Sequence, residues 1–376
     1  MGRALVIGDL TAPVPVIQGG MGVGVSLSNL AGNVAKCGGI GIISTAQIGY
    51  QEPEFEENPI ETNLKAIAKH IHRAKEIAKG GIVGVNIMVA TRRYEDYVKA
   101  AAKAGADLII SGAGLPAKLP ALVEQFKTKI APVVSSVKSA AVICKLWDRK
   151  YQRCPDLVVI EGPKAGGHLG FTKEEVEQST DTGYEQEIQG IIKVVEEYGR
   201  KYERHIPVVV AGGIYDGDDM KHAIELGADG VQVATRFVTT YECDASDAYK
   251  QAYIQAEEED IVLVKSPVGM PGRAVKNAFI REEESRNEGQ EKQSEEGIER
   301  RKNWKCYQCL EKCNPAEIPY CITRALINAV KGNVEQGLIF CGTNAYRAKK
   351  LEHVSEIMEE FKISARGCRT NINYNL

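Results

Sequence analysis

One histidine stands apart in this chain. His168 sits in Glu161-Gly-Pro-Lys164-Ala-Gly166-Gly167-His168-Leu-Gly170, so glycines flank an imidazole on both sides. An imidazole in such a setting can take or give a proton near neutral pH. The other five, His70, His72, His205, His222 and His353, lie on or beside expected helices and read as surface residues. Glycine-rich phrases occur at Gly19-Gly20-Met21-Gly22-Val23-Gly24, Ser111-Gly112-Ala113-Gly114 and Ala211-Gly212-Gly213. Glycine lets backbone approach a flat or anionic ligand closely. A plain flexible turn explains each phrase taken alone. Asn86 and Ser111 offer an amide and a hydroxyl, with loop capping as the alternative. Gln232-Val-Ala234-Thr235-Arg236 completes the set.

Cys306-x2-Cys309-x3-Cys313-x7-Cys321 is a second constellation. Thiolates at such spacing can hold an iron–sulfur cluster or zinc. Pro315 and Pro319 would turn the chain back toward the first three, and Cys341 is a spare. The alternative is a tight loop with free thiols. Cys37, Cys144, Cys154, Cys243 and Cys368 are isolated and read as packing residues.

These residues need a frame. Four phrases, starting at Ala35, Ala78, Ala102 and Glu225, read as a helix ending in glycine followed by a strand, and apolar runs lie at Val14–Ile17, Ile40–Ile43, Ile82–Ile87, Leu108–Ile110, Pro132–Val134, Leu157–Ile160, Pro207–Ala211 and Val231–Val233. Unalternated β-branched runs indicate strands buried on both faces, as in parallel sheets. Helical segments fall between them: Leu64–Ala78, Tyr94–Ala104, Ala140–Arg149, Glu185–Tyr202 and Asp219–Leu226. Eight strand–helix units predict an α/β fold, a (β/α)8 TIM barrel, over an open doubly wound sheet. Barrel active sites lie at the carboxyl ends of the strands, where all the phrases above fall. Loops after the seventh and eighth strands commonly bind phosphate, so Gly212-Gly213 and Ala234-Thr235 form a meaningful pair.

Beyond Thr240 the pattern changes. Asp244–Asp260 reads as an acidic helix, Lys265–Arg273 as a loop, and Lys349–Phe361 as a terminal helix. The expected organisation is a barrel over 1–280, a charged linker over 281–303, and a cysteine-rich C-terminal extension with helices over 304–376.

The formal net charge of −3 and the lack of a basic stripe argue against nucleic acid. No run approaches ~18 apolar residues, and Met1–Leu10 lacks a signal-peptide pattern, so no membrane partner and a cytoplasmic location are expected. Scattered cysteines without such a signal point the same way. A phosphate-ligand isomerase or aldolase is a competing class; no lysine stands clearly at a strand end, Lys138 being the nearest. A binding or electron-transfer module built on the cysteines is a third.

Val16-Ile-Gln-Gly-Gly-Met-Gly, Glu161-Gly-x3-Gly-Gly-His-x-Gly, Val210-Ala-Gly-Gly-Ile and Gly227-Ala-Asp-Gly-Val-Gln-Val-x-Thr-Arg-Phe resemble the nitronate monooxygenase (2-nitropropane dioxygenase) family and its relative, the flavin-dependent enoyl-ACP reductase. Ser266-Pro-x-Gly-x-Pro-Gly-Arg273 resembles a later loop of that family. The match covers about residues 10–280. The resemblance implies non-covalent FMN. Gly20, Met21 and Gly22 would line the flavin and Asn86 would bond its ring; Ser111 and Gly167, at the same rim, are further cofactor-binding candidates. Gly212, Gly213, Ala234 and Thr235 would hold the phosphate, with Gln232 nearby. His168 matches the family's catalytic histidine. Two departures are Lys164 for a glutamate and Ala234 for a glycine; backbone donors remain at both. The implied activity is oxidation of alkyl nitronates with dioxygen. The alternative is an NAD(P)H-dependent enoyl-ACP reductase or related flavin reductase, which a cluster on the cysteines would favour. The substrate is a small molecule, and a homodimer is left open.

Overall fold

The computed structural model describes residues 3–288 and 305–368. Eight parallel strands close into a barrel in chain order: Val16–Gln18, Ile40–Ser44, Ile82–Met88, Leu108–Gly112, Lys129–Val134, Val158–Glu161, Val208–Ala211 and Gly230–Val233. The last pairs with the first, Val231 opposite Val16, which closes the ring. The architecture is the expected (β/α)8 barrel.

Unalternated strands arise because both faces are dry. Successive side chains point in opposite directions along a strand. Ile17, Ile42, Ile110, Val159 and Val209 fill the interior. Val16, Ile43, Ile109, Val158 and Val210 face outward and pack under the helices. A hairpin of Leu5–Ile7 and Leu10–Ala12 adds Leu5, Ile7 and Ala12 to the interior cluster, plugging the end away from the glycine-rich loops.

The outer helices include Ser28–Lys36, Pro59–Ala78, Tyr94–Lys103, Val137–Tyr151, Asp181–Lys201 and Gly217–Glu225. Their boundaries are chemically marked. Ser136 and Asp216 form capping boxes, and Pro59 stands at a first-turn position. Helix Ser28–Lys36 has no cap of its own. The carboxylate of Asp244 accepts from the N–H groups of Leu27 (2.8 Å), Asn29 (3.2 Å) and Leu30 (3.1 Å) instead. At Gly41 a Cβ would stand 1.8 Å from Ala31 O, so only glycine lets this helix lie directly on the second strand.

Two local expectations need correction. Lys265–Arg273 is not simply a loop: Ile261–Lys265 and Pro271–Val275 pair as an antiparallel hairpin, and only Ser266–Met270 turns. Pro271 occupies the first position of its strand, where a missing N–H is tolerated. The second hairpin strand then pairs with Gly167–His168, placing Gly272 opposite His168. The acidic segment at 244–260 is helical only over Asp247–Gln255, followed by a 3-10 turn at Glu258–Asp260.

Helix Ala278–Glu288 occupies the start of the charged stretch. The rest of the expected linker to 303, Trp304 and residues 369–376 lie outside the described residues. The terminal helix runs Val354–Gly367, later than expected, and buries Val354, Ile357, Met358 and Phe361 in the same core as the outer barrel face. Buried Arg236 ties it down through Glu352 (3.3 Å) and Glu360 (2.9 Å). Among the described residues no helix is long and apolar enough to cross a membrane.

Candidate active site

A cavity of about 1340 Å³ opens at the carboxyl ends of the barrel strands. Gly20, Met21, Gly22, Asn86, Gly167, His168, Gly212, Gly213, Gln232, Ala234 and Thr235 all line it. Those eleven come from strand ends and loops far apart in sequence. Of the candidate cofactor residues, Ser111 alone does not line the cavity. It is fully buried, and its hydroxyl is committed to Ile87 O (2.8 Å) and Tyr94 OH (2.8 Å), stitching the third and fourth strands. Cys309 and Cys313 line the cavity; Cys306 and Cys321 do not.

His168 is held from two sides. Its Nε2 lies 2.7 Å from Ser266 Oγ, and the Phe340 ring meets it edge-on with centroids 5.1 Å apart. Burial pushes the imidazole pKa down to about 4, because removing water penalises the charged form. The ring is therefore neutral at neutral pH. Glu161, at the end of the sixth strand, also lines the cavity, and burial pushes its carboxyl up to about 7. Lys164 is turned to the exposed rim, where it pairs with Asp181 at 2.7 Å. Its charge is thus offset.

The rim after the seventh and eighth strands is a glycine cradle. Gly212 and Gly213 have φ of +92° and +85°, conformations that suit glycine. A Cβ on Gly212 would stand 2.9 Å from Ala165 N, and one on Gly20 would stand 2.5 Å from the Asn86 Cβ. Gln232 Oε1 is buried without a hydrogen-bond partner in this ligand-free chain. Such an atom costs about 1–3 kcal/mol unless a donor meets it. A bound group with an N–H or hydroxyl at that point would satisfy it, so the cradle and the orphan acceptor fit a cofactor bearing both a phosphate and polar ring or chain edges.

Several residues here escaped the sequence reading. Ser266 was visible only as part of a motif, with no sign that it would reach His168. Glu161 ended a recognised strand but carried no mark of burial. Phe340 and Gly342 lie in the C-terminal extension: Gly342 N–H donates to Thr235 Oγ1 (3.0 Å), Asn344 Nδ2 donates to Gly213 O (2.7 Å), and Thr343 N–H donates to Lys164 O (3.2 Å). The extension therefore walls the cradle. No periodicity marked these residues, since they lie in irregular chain. Conversely, His70 is not a plain surface residue. It is half-buried with Nδ1 3.3 Å from Ser28 Oγ, and burial pushes its pKa down to about 4.

A parallel barrel with a large cavity at its carboxyl rim, lined by a glycine cradle and an imidazole, is the frame of a barrel enzyme. The nitronate monooxygenase family model matches residues 4–362, and the chain belongs to that family. It is 28% identical over 303 residues to a probable nitronate monooxygenase of Staphylococcus saprophyticus, covering 73% of this chain and 79% of that one. A probable nitronate monooxygenase of Staphylococcus aureus is 26% identical, with 74% and 80% covered. Among solved structures, FabK from Thermotoga maritima is similar at a TM-score of 0.69 and 25% identity, covering 94% of this chain and 93% of that one. Nitroalkane oxidase from Streptomyces ansochromogenes shares the fold at a TM-score of 0.70 and 18% identity, with 95% and 97% covered. The chain is thus an enzyme acting on a small molecule.

Proposed function

We propose that this enzyme binds FMN in the cavity and oxidises alkyl nitronates with dioxygen, with His168 as base or orienting group. The observation that carries the reading is a neutral imidazole fixed by Ser266 above a cavity that also holds the Gly212-Gly213 cradle and the orphan Gln232 Oε1. Backbone donors at Gly212, Gly213, Ala234 and Thr235 would hold the phosphate. Gly20, Met21 and Gly22 would line the flavin ring, with Asn86 beside them. When bound, FMN would supply the electron transfer between nitronate and dioxygen.

The chain's own residues do the rest. Burial keeps His168 unprotonated, so the imidazole can accept the α-proton of a nitroalkane or orient a nitronate by hydrogen bonding. Ser266 Oγ occupies Nε2, and the edge of Phe340 limits ring tilt. Pro267, Val268 and Met270 present apolar surface to the cavity beside the imidazole, which favours exclusion of water.

The test is to release flavin from the purified protein, identify its phosphate, and follow dioxygen uptake with an alkyl nitronate. Uptake dependent on bound FMN is expected. A colourless protein that cannot be loaded with FMN would overturn the reading. A second reading, reduction of an enoyl thioester with NAD(P)H, draws on the likeness to FabK over 94% of the chain. Anaerobic mixing separates the two: bleaching of the flavin by NADH or NADPH but not by a nitronate favours the reductase.

A further inference from the structure

Cys306, Cys309, Cys313 and Cys321 have no part in the proposed nitronate chemistry. All four are free thiols in described parts of the chain. Three of them fall between 306 and 313, and the fourth follows a turn containing Pro315 and Pro319. The segment is anchored to the barrel rim. Arg92 N–H donates to Cys309 O (3.1 Å), Glu311 N–H donates to Ala90 O (3.0 Å), and Thr91 bridges Leu310. This anchoring brings Cys309 and Cys313 to the wall of the His168 cavity.

Backbone N–H groups and a hydroxyl lie close to these sulfurs. Gln308, a non-glycine residue, adopts a φ of +53°, and its N–H points at Cys306 Sγ at 3.4 Å. Cys321 precedes the helix Ile322–Val330, and the N–H groups of Thr323 and Arg324 are directed at its sulfur. The Thr323 hydroxyl is directed at the sulfur of Cys309. Cys306, Cys313 and Cys321 are neighbours of Cys309, and Arg92 and Arg324 lie near Cys313 and Cys321. N–H donors and nearby cations stabilise metal-bound thiolate and tune its potential.

We propose that Cys306, Cys309, Cys313 and Cys321 bind a [4Fe–4S] cluster in the wall of the active-site cavity. A closely spaced run of cysteines completed by a more distant one is the usual pattern of cubane ligation, whereas four-cysteine zinc sites draw on two separate pairs. Among the described residues no three His, Cys, Asp or Glu side chains close on a single ion. Cubane ligands stand wider apart than the ligands of one ion, because each thiolate binds a different iron. The position in the cavity wall makes the cluster a one-electron neighbour of whatever redox group the cavity holds. The cluster itself does not depend on the nitronate reading.

The test uses the full chain, purified without oxygen. Iron, acid-labile sulfide, zinc and flavin are measured per chain, with an electron paramagnetic resonance spectrum after dithionite reduction. About four iron and four sulfide per chain are expected, with a reduced-cluster signal. Cys309→Ser and Cys313→Ser are expected to lose most of the iron and to keep the flavin, while Cys368→Ser keeps both. Stoichiometric zinc without sulfide, a metal-free wild-type chain, or full iron in Cys309→Ser would each overturn the proposal. If the serine variants do not fold, the wild-type iron-to-sulfide ratio and spectrum decide alone. Loss of flavin with retained iron would count against the FMN reading and leave the cluster standing.

Discussion

The imidazole of His168 and the hydroxyl of Ser266 meet at 2.7 Å although 98 positions separate them in the chain. The hairpin Ile261–Lys265 and Pro271–Val275 makes the contact. Its second strand pairs with Gly167–His168, and its turn brings Ser266 over the ring. Ser266 is 2% exposed, so water does not substitute easily for its hydroxyl. Losing one such hydrogen bond costs about 1 kcal/mol, close to a fivefold change in rate if it is felt in the transition state. Ser266→Ala is therefore expected to lower kcat roughly 5- to 10-fold while flavin content stays unchanged. Cysteine or threonine at 266 tests the contact further, with threonine expected to restore more. Unchanged kcat in Ser266→Ala would remove the positioning role.

The proposed base can be tested by its titration. Burial holds the His168 pKa at about 4, well below the ordinary 6.5. The neutral, proton-accepting form thus persists through pH 5 to 8. With a nitroalkane substrate, kcat/KM is expected to fall only as pH approaches about 4, not near 6.5. His168→Ala should cost about 10²–10⁴ in turnover of the nitroalkane. The loss should be smaller for a preformed nitronate, which needs no proton removed. The linked stability effect has a definite sign. The unfolded chain binds this proton more readily, so its contribution is fully present above 6.5 and is lost as pH falls toward 4.

Glu161 titrates the other way. Its carboxyl is pushed up to about 7 by burial, against an ordinary value of 4.5. Below 4.5 both states are protonated and the fold bears no cost. As pH rises from about 4.5 to about 7 the unfolded chain ionises this carboxyl while the folded chain keeps it protonated, so stability falls and then levels off. Glu161→Gln is expected to flatten that decline between pH 5 and 8 in thermal melts. It should also abolish any pH-dependent shift of the bound flavin spectrum centred near 7. A wild-type melt that is level across this range would contradict the shift.

Asp244 replaces a cap that its helix lacks. Its carboxylate serves the N–H groups of Leu27, Asn29 and Leu30 at the start of Ser28–Lys36. Asp244→Ala leaves these donors without a partner and is expected to cost about 1–3 kcal/mol. A Tm lower by a few degrees, with flavin affinity reduced through the adjoining Gly19–Gly24 loop, is the predicted outcome. A melt identical to wild type would show that water replaces the carboxylate.

Much of this was readable from residue order. The eight apolar runs became the eight barrel strands because burial on both faces selects β-branched residues within each run. Glycines at the ends of those runs placed Gly20, Gly167, Gly212 and Gly213 at one rim once the barrel closed. Both signals are local, spanning a few residues each. Tertiary structure alone decided the contacts that join distant segments. It set Ser266 and Phe340 against His168, Gly342 against Thr235, and Asp244 beneath Leu30. It also withdrew Ser111 from the cavity by spending its hydroxyl on Ile87 and Tyr94. Such pairings depend on barrel closure and on how the C-terminal extension packs across the rim, and no pattern of neighbouring residues encodes them.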